Sequence, residues 1–206
     1  MKDNGKVVEL ERKDLKNKNN IKNRGVLSKE EIRKCISKGD IVIEPFDENT
    51  LGPSDINFRI SENYARIKNI QEIMDLRNLE SEIINGKYFT FEKNKEYIIQ
   101  PNEHLLIESI EYLEMPNYLT ALIALRSTFS RLGLSTPPTL IDPGFKGKIV
   151  FHLIGSSYPI KLYEGIAVFK IIFLYVSSNT EVYNGEYQNQ KGVVLPKSYP
   201  IWGKRK

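Results

Sequence analysis

The stretch ALIALRSTFSRLGLSTPPTLIDPGFKGKIVFHLIG, residues 121–155, carries the most informative pattern of this 206-residue sequence. It opens as an apolar strand that ends at Leu125, and a short helical turn over 129–132 is expected before Gly133 closes it. Residues 142–145, Asp-Pro-Gly-Phe, then predict a type II turn. Strand, turn and strand in close succession indicate a β-rich fold.

A strand over 148–154 is expected to follow this turn. Alternate side chains of a strand face opposite sides. One side therefore holds Ile149, Phe151 and Leu153, and the other holds Val150 and His152. An ionisable side chain on a cleft-facing side, ten residues after Asp142, suits a site for polar chemistry.

The Arg-Ser-Thr triplet at 126–128 stands where the apolar strand gives way to the helical turn. Hydroxyls and backbone N–H groups at a helix start favour anions, and Arg126 and Arg131 add guanidinium donors. A phosphate cradle is the functional interpretation. A capped surface helix with two solvated arginines is the structural alternative, and the triplet alone does not decide between them.

Short β-like segments broken by Pro, Gly and Asn run through the rest of the chain. Many strands with little intervening helix predict a mainly β fold, an antiparallel barrel or jelly-roll sandwich. Ser28 and Glu31 form an S-x-x-E capping box that predicts a helix over 28–38. Residues 66–85 fit either a helix or an irregular excursion. The other predicted strands are 40–44, 56–60, 88–91, 97–100, 104–110, 119–125, 160–162 and 167–176.

Composition divides the chain into a core and two arms. Residues 12–24 carry six positive side chains and one negative side chain, so a basic, flexible arm is expected over 1–26. A β-barrel domain is expected over 27–178. Polar residues and tyrosines cluster beyond it, which predicts a C-terminal arm over 179–206.

The net charge, the cysteine count and the lengths of the apolar runs limit the classes of function that this protein can have. The net charge of +4 is compatible with an anionic ligand but falls short of what nucleic-acid binding demands. Cys35 is the only cysteine, which excludes an intramolecular disulfide and a cysteine metal cluster. Apolar runs are strand-sized and the N-terminus lacks an apolar signal core, so we expect a cytoplasmic protein without a membrane partner.

Several ordered motifs resemble those of the dCTP deaminases and the related trimeric dUTPases. In this chain they are R-S-T-x-x-R-x-G-L at 126–134, L-I-D-P-G-F-x-G-x-I at 140–149, P-I-x-L-x-x-G at 159–165, GPSDINFRI at 52–60 and YQNQ at 187–190. The Pro-Pro pair at 137–138 is similar to archaeal members. The motifs span most of the chain, so it is identified as a member of this family.

The resemblance implies a distorted jelly-roll β-barrel of the dUTPase-like type with a short N-terminal helix. It also implies a homotrimer with active sites between subunits, and Mg²⁺ that arrives with the nucleotide triphosphate, with no zinc and no metal site of the protein's own.

Residue roles carried over from the family divide into three groups. Ser127, Thr128 and Arg131 would bind the triphosphate, with Arg126 nearby. Asp142 would hold the deoxyribose 3′-hydroxyl in a deaminase or orient the attacking water in a dUTPase. The tail residues Tyr187 and Gln190 would close over the phosphates.

His152 stands where the family's deaminases carry the glutamate that serves as general base and acid. Histidine can act as a base near neutral pH, although it differs from glutamate in shape and charge. Either His152 takes the catalytic role together with Asp142, or it is a polar residue in a site whose chemistry has changed. The residues leave both alternatives open.

Four functions are therefore weighed. The first is a dCTP deaminase, a hydrolase that converts dCTP and water to dUTP and ammonia in pyrimidine nucleotide metabolism. The second is a dUTP diphosphatase, which releases pyrophosphate from dUTP without needing the missing glutamate. The third is a non-catalytic regulatory trimer that binds nucleotides. A nucleic-acid-binding barrel comes last, because interleaved basic and aromatic residues are lacking.

Overall fold

The computed structural model describes residues 25–79, 83 and 86–197. Nearly all of the predicted N-terminal arm and the last nine residues of the predicted C-terminal arm lie outside the described residues. The helices are α1 (Lys29–Ser37) and α2 (Ser127–Arg131), and short 3₁₀ turns occupy Glu48–Thr50 and Leu76–Asn78. The strands are β1 (Val42–Glu44), β2 (Ile56–Ile67), β3 (Phe89–Lys93), β4 (Glu96–Ile99), β5 (His104–Glu114), β6 (Leu119–Leu125), β7 (Thr139–Ile141), β8 (Lys146–Ile154), β9 (Ile160–Tyr163) and β10 (Ala167–Tyr175).

Eight of the strands form one curled sheet. Its path is β1-β5-β2-β10-β6-β7, with β3 joined to β2 and β8 joined to β5, while β4 and β9 form a separate pair. Strand β2 pairs with β10 through its first residues and with β3 and β5 beyond Ile60, so the sheet bends back over its own core. The expected mainly β fold is confirmed.

Helix α1 covers one end of the core. Ser28 accepts a hydrogen bond from the Glu31 backbone and Glu31 accepts one from the Ser28 backbone, which confirms the capping box. The side chains of Ile32 and Cys35 lie on the buried face of this helix, and the sulfur of Cys35 lies 3.9 Å from the hydroxyl of Tyr118. Burial raises the pKa of the Cys35 thiol, so this cysteine acts as a small core residue.

Strand β8 carries the alternation that its sequence predicts. Ile149, Phe151 and Leu153 are buried, and Phe151 stacks on Phe169 of β10 with ring centroids 3.9 Å apart. The half-buried side chains of Val150 and His152 lie on the opposite face. This second face is where the candidate site lies.

Several elements differ from the sequence-based expectation, and three of them bear on the site or on the segment that the sequence left open. Strand β7 was not predicted, because three residues between two prolines and a turn give no readable periodicity. Helix α2 begins at Ser127 and not at Phe129, so the hydroxyl residues lie inside its first turn. Strand β2 runs on to Ile67, well past the predicted end at 60, and a 3₁₀ turn at Leu76–Asn78 follows within the segment that sequence left open.

Candidate functional site

The turn after β7 directs an acidic side chain to the surface. The Phe145 N–H donates to the Asp142 carbonyl at 3.2 Å, and Gly144 has φ +77°, as the third position of a type II turn requires. The backbone of Asp142 therefore closes the turn, while its exposed carboxylate remains available to a ligand.

A cavity of about 420 Å³ opens beside this turn, a volume within the range of small-molecule sites. It brings Asp142 together with Tyr187 and Gln190, which are far from it in sequence. Its wall is otherwise mostly apolar. The lining residues are Leu106, Ile123, Thr139, Leu140, Ile141, Asp142, Phe145, Ile149, Val150, Tyr183, Tyr187, Gln190, Val194 and Pro196.

The C-terminal tail reaches the cavity by running along the start of β8. The Lys148 N–H donates to the Gln190 carbonyl at 3.1 Å, and the side-chain amide of Gln190 donates to the Lys148 carbonyl at 2.7 Å. Gly147 lies beneath this contact with φ +145°, and a Cβ atom there would come within 3.0 Å of the Gln190 nitrogen. A larger residue at 147 would therefore push the tail away.

A buried carboxylate fastens the tail from the β5 side. Glu108 is 2% exposed, and its Oε1 accepts the Gly192 N–H at 2.7 Å. Its Oε2 accepts from the side-chain amide of Asn63 at 2.9 Å, and Lys148 lies 3.4 Å from Oε1. Because a buried carboxylate needs such partners, the tail contact helps to satisfy this group.

His152 lies just beyond the cavity wall on the same face of the sheet. It pairs with Leu106 of β5 and lies two residues after Val150 on β8, and both Leu106 and Val150 line the cavity. The Thr136 hydroxyl donates to the His152 carbonyl at 2.7 Å, which ties β8 to the loop after α2. Burial, and secondly the neighbouring His104, lower the pKa of the His152 imidazole, so it is neutral at pH 7.

The predicted phosphate motif does not line this cavity. Ser127, Thr128 and Arg131 are exposed on α2, and none of the three lines the cavity. Arg126 is tied to β10, because its backbone N–H donates to the Val168 carbonyl at 3.0 Å and its Nη1 donates to the Ala167 carbonyl at 2.9 Å. Within a single chain, the cavity that holds Asp142 is therefore lined without the cationic motif.

Across the part of the chain that the structure describes, no three His, Cys, Asp or Glu side chains are grouped as metal ligands. Within the same residues, no helix is both long enough and apolar enough to cross a bilayer.

Comparison with known proteins identifies the family. The model of the family described as dCTP deaminase-like matches residues 26–176. The chain belongs to the dCTP deaminase-like family. This dCTP deaminase-like chain is 39% identical to a dCTP deaminase of Saccharolobus solfataricus over 173 residues, which cover 84% of the chain and 91% of the relative.

A viral relative carries a different name. A protein of Sulfolobus islandicus rod-shaped virus 1, named a probable deoxyuridine 5′-triphosphate nucleotidohydrolase, is 38% identical over 173 residues. The match covers 84% of the dCTP deaminase-like chain and 98% of the viral protein. Relatives of similar identity are therefore named for two reactions.

A solved structure supports the fold. The 2′-deoxycytidine 5′-triphosphate deaminase of Agrobacterium tumefaciens superposes with a TM-score of 0.58 at 16% identity over 74% of the dCTP deaminase-like chain. The chain spans about half of that protein, 48% of its length. The dUTPase-like jelly-roll class expected from the sequence is confirmed.

Two polar residues near the site escaped the sequence analysis of this dCTP deaminase-like chain. His104 contacts His152 across the β5–β8 pair, and Glu108 holds the tail. The sequence contains only two histidines, each on a predicted strand, which is the one signal that could have linked them. Glu108 gives no comparable signal.

Proposed function

We propose that this protein is a dCTP deaminase, which converts dCTP and water to dUTP and ammonia. The observation that carries the proposal is the position of His152, which lies beside the Asp142 cavity, opposite the lining residue Leu106. Family membership and the relatives named dCTP deaminase support it. We also propose that the reaction takes place in the cytoplasm, within a β-barrel core over 27–178 that is flanked by the two arms.

The residues that line the cavity then have different roles in binding the nucleotide. Asp142 accepts a hydrogen bond from the 3′-hydroxyl of the deoxyribose, which places the base against the apolar wall near Val150. Tyr187 and Gln190 belong to a C-terminal arm that closes over the nucleotide, and the hydrogen bond of Gln190 to Lys148 of β8 supports this role. The closed arm excludes water, which strengthens the polar contacts beneath it.

The triphosphate is bound by Ser127, Thr128 and Arg131 of a neighbouring copy in a homotrimer. Because these residues do not line the cavity of their own chain, a site shared between copies would let one nucleotide reach both groups. Arg126 holds the start of α2 against β10 and so positions the motif. Mg²⁺ arrives with the triphosphate, which suits the preference of this ion for phosphate and water oxygens.

His152 acts on the water. Its free ring nitrogen removes one proton while the oxygen attacks C4 of the cytosine ring. His152 passes this proton to N3 of the ring. The proton of the hydroxyl now on C4 is then transferred to the amino group, and the C4–N bond breaks as the C4 carbonyl forms and ammonia leaves. Positioned acid–base catalysis of this kind contributes about 10²–10⁴-fold to a rate.

A dUTP diphosphatase is the second candidate. The exposed carboxylate of Asp142 can orient a water toward a phosphorus atom, and this reaction does not need the family's glutamate. The viral relative named a probable deoxyuridine 5′-triphosphate nucleotidohydrolase supports it. Phosphoryl chemistry depends mainly on a placed water, cationic groups and a metal.

One assay separates the candidates. Purified protein is incubated with Mg²⁺ and either dCTP or dUTP, and ammonia, pyrophosphate and nucleotide identity are followed. Ammonia from dCTP is the expected result. Pyrophosphate from dUTP alone would favour the second candidate, and tight binding of a nucleotide without product would replace both with a non-catalytic binding protein.

The pH profile provides a further prediction. Because the folded protein lowers the pKa of His152, kcat/KM for dCTP is expected to hold from pH 7.5 to about 6.5 and to fall only below the usual histidine value. The unfolded chain binds more protons in that range, so stability also falls as pH drops below about 6.5. An acidic limb with an apparent pKa above the usual histidine value would exclude His152 as the base.

A further inference from the structure

The two histidines of the chain form a direct pair. Nδ1 of His104 lies 2.9 Å from Nε2 of His152, and the ring centroids are 5.1 Å apart with a tilt of 38°. The residues are 48 positions apart in sequence and meet because β5 and β8 pair antiparallel, with Leu106 opposite His152. Both rings are half-buried, and the Thr136 contact restrains β8 beside them.

A nitrogen-to-nitrogen hydrogen bond needs one N–H group and one lone pair. Two facing N–H groups would repel, and two facing lone pairs would leave buried acceptors without a donor. The contact therefore admits two arrangements. Either His104 donates from Nδ1, or His152 donates from Nε2.

We propose that His152 donates its Nε2 proton to Nδ1 of His104, which makes His104 the positioning residue that leaves the Nδ1 lone pair of His152 free to act as a base. This inference rests on the proposed deamination and deepens it. The opposite arrangement would leave Nδ1 of His152 already protonated and unable to accept a proton. Only the proposed arrangement keeps its hydrogen bond when Nδ1 becomes protonated, so it stabilises the imidazolium that forms.

Other ionisable groups near the pair are paired elsewhere. On β5, Glu108 contacts Lys148 of β8, and Glu103, which precedes that strand, forms an ion pair with Arg66. The loop over 132–138, which packs against His152 through Thr136, contains no ionisable residue. His104 is therefore the group that orients His152.

Nuclear magnetic resonance of ¹⁵N-histidine-labelled protein tests the arrangement without any need for turnover. At pH 7.5 we expect both rings to carry their proton on Nε2 and a scalar coupling between Nε2 of His152 and Nδ1 of His104. A His152 ring protonated on Nδ1, or an absent coupling, would overturn the inference. If the coupling is observed but the protein releases no ammonia from dCTP, the inferred histidine pair is correct and the proposed function is wrong.

Two variants test the catalytic consequence. His104→Phe keeps an aromatic ring but removes the acceptor. We expect kcat for dCTP to fall about 10- to 100-fold with KM nearly unchanged, because a misoriented His152 loses part of the rate that a positioned acid–base group contributes. In His104→Asn, the side-chain oxygen occupies the position of Nδ1 and should restore most of kcat. Equal kcat in wild type, His104→Phe and His104→Asn would overturn the positioning role.

Discussion

Replacing His152 by glutamate is expected to raise ammonia release from dCTP by about 10- to 100-fold, which is only part of the 10²- to 10⁴-fold that a well-matched acid–base group contributes, because His152 already supplies the rest. The imidazole offers a single nitrogen to the substrate because its other nitrogen is occupied by His104. A carboxylate offers two oxygens, which can take a proton from water and deliver it to the ring or to the leaving amine. Steady-state ammonia release at saturating dCTP measures the gain.

His152→Gln is the matched control. It has the length of glutamate and can hydrogen bond to His104, but it cannot take up a proton. Ammonia release by this variant is expected to fall below that of the wild type, while pyrophosphate release from dUTP, if present, stays constant in both variants. Equal rates for the glutamate and glutamine variants would show that the base lies elsewhere.

Local sequence signals were sufficient for much of the fold. The capping box of α1, the Asp-Pro-Gly turn and the alternation along β8 depend on neighbouring residues, and all three were correct. Strand ends were less accurate, because β2 and β5 run several residues beyond their apolar segments. Pairing with three partner strands, and not local propensity, sets those lengths.

The arrangement of the site depends on contacts between distant segments, which periodicity does not reveal. The family motif singles out Gly147, but the reason for a glycine there is the tail residue Gln190 lying directly over it. The pairing of His104 with His152 follows from the register of two strands. That the Asp142 cavity is lined without Arg131 likewise emerges only once the chain is folded.

Asp142→Asn is expected to affect the two candidate reactions differently. In a diphosphatase the carboxylate orients the water, so kcat for dUTP should fall about 10²- to 10⁴-fold. In a deaminase it accepts a hydrogen bond from the 3′-hydroxyl, and the amide oxygen of asparagine still accepts there but without the charge. A hydrogen bond to a charged group contributes about 1.5–3 kcal/mol and a neutral one about 0.5–1.5 kcal/mol, so about 1–1.5 kcal/mol is lost, which corresponds to a roughly 5- to 13-fold fall in kcat/KM. That loss should appear mainly as a higher KM for dCTP.

The fold should tolerate this change. The carbonyl of Asp142, and not its carboxylate, closes the turn with Phe145, and asparagine is common at that turn position. Asp47→Asn is the matched control, because it removes the same charge from a carboxylate that accepts the Asn49 N–H at 2.9 Å and lies outside the cavity. Steady-state kinetics with both nucleotides give the result. Unchanged KM and kcat in Asp142→Asn would mean that this carboxylate does not contact the nucleotide. If kcat for dCTP falls as much as kcat for dUTP, the carboxylate takes part in the chemistry of both reactions.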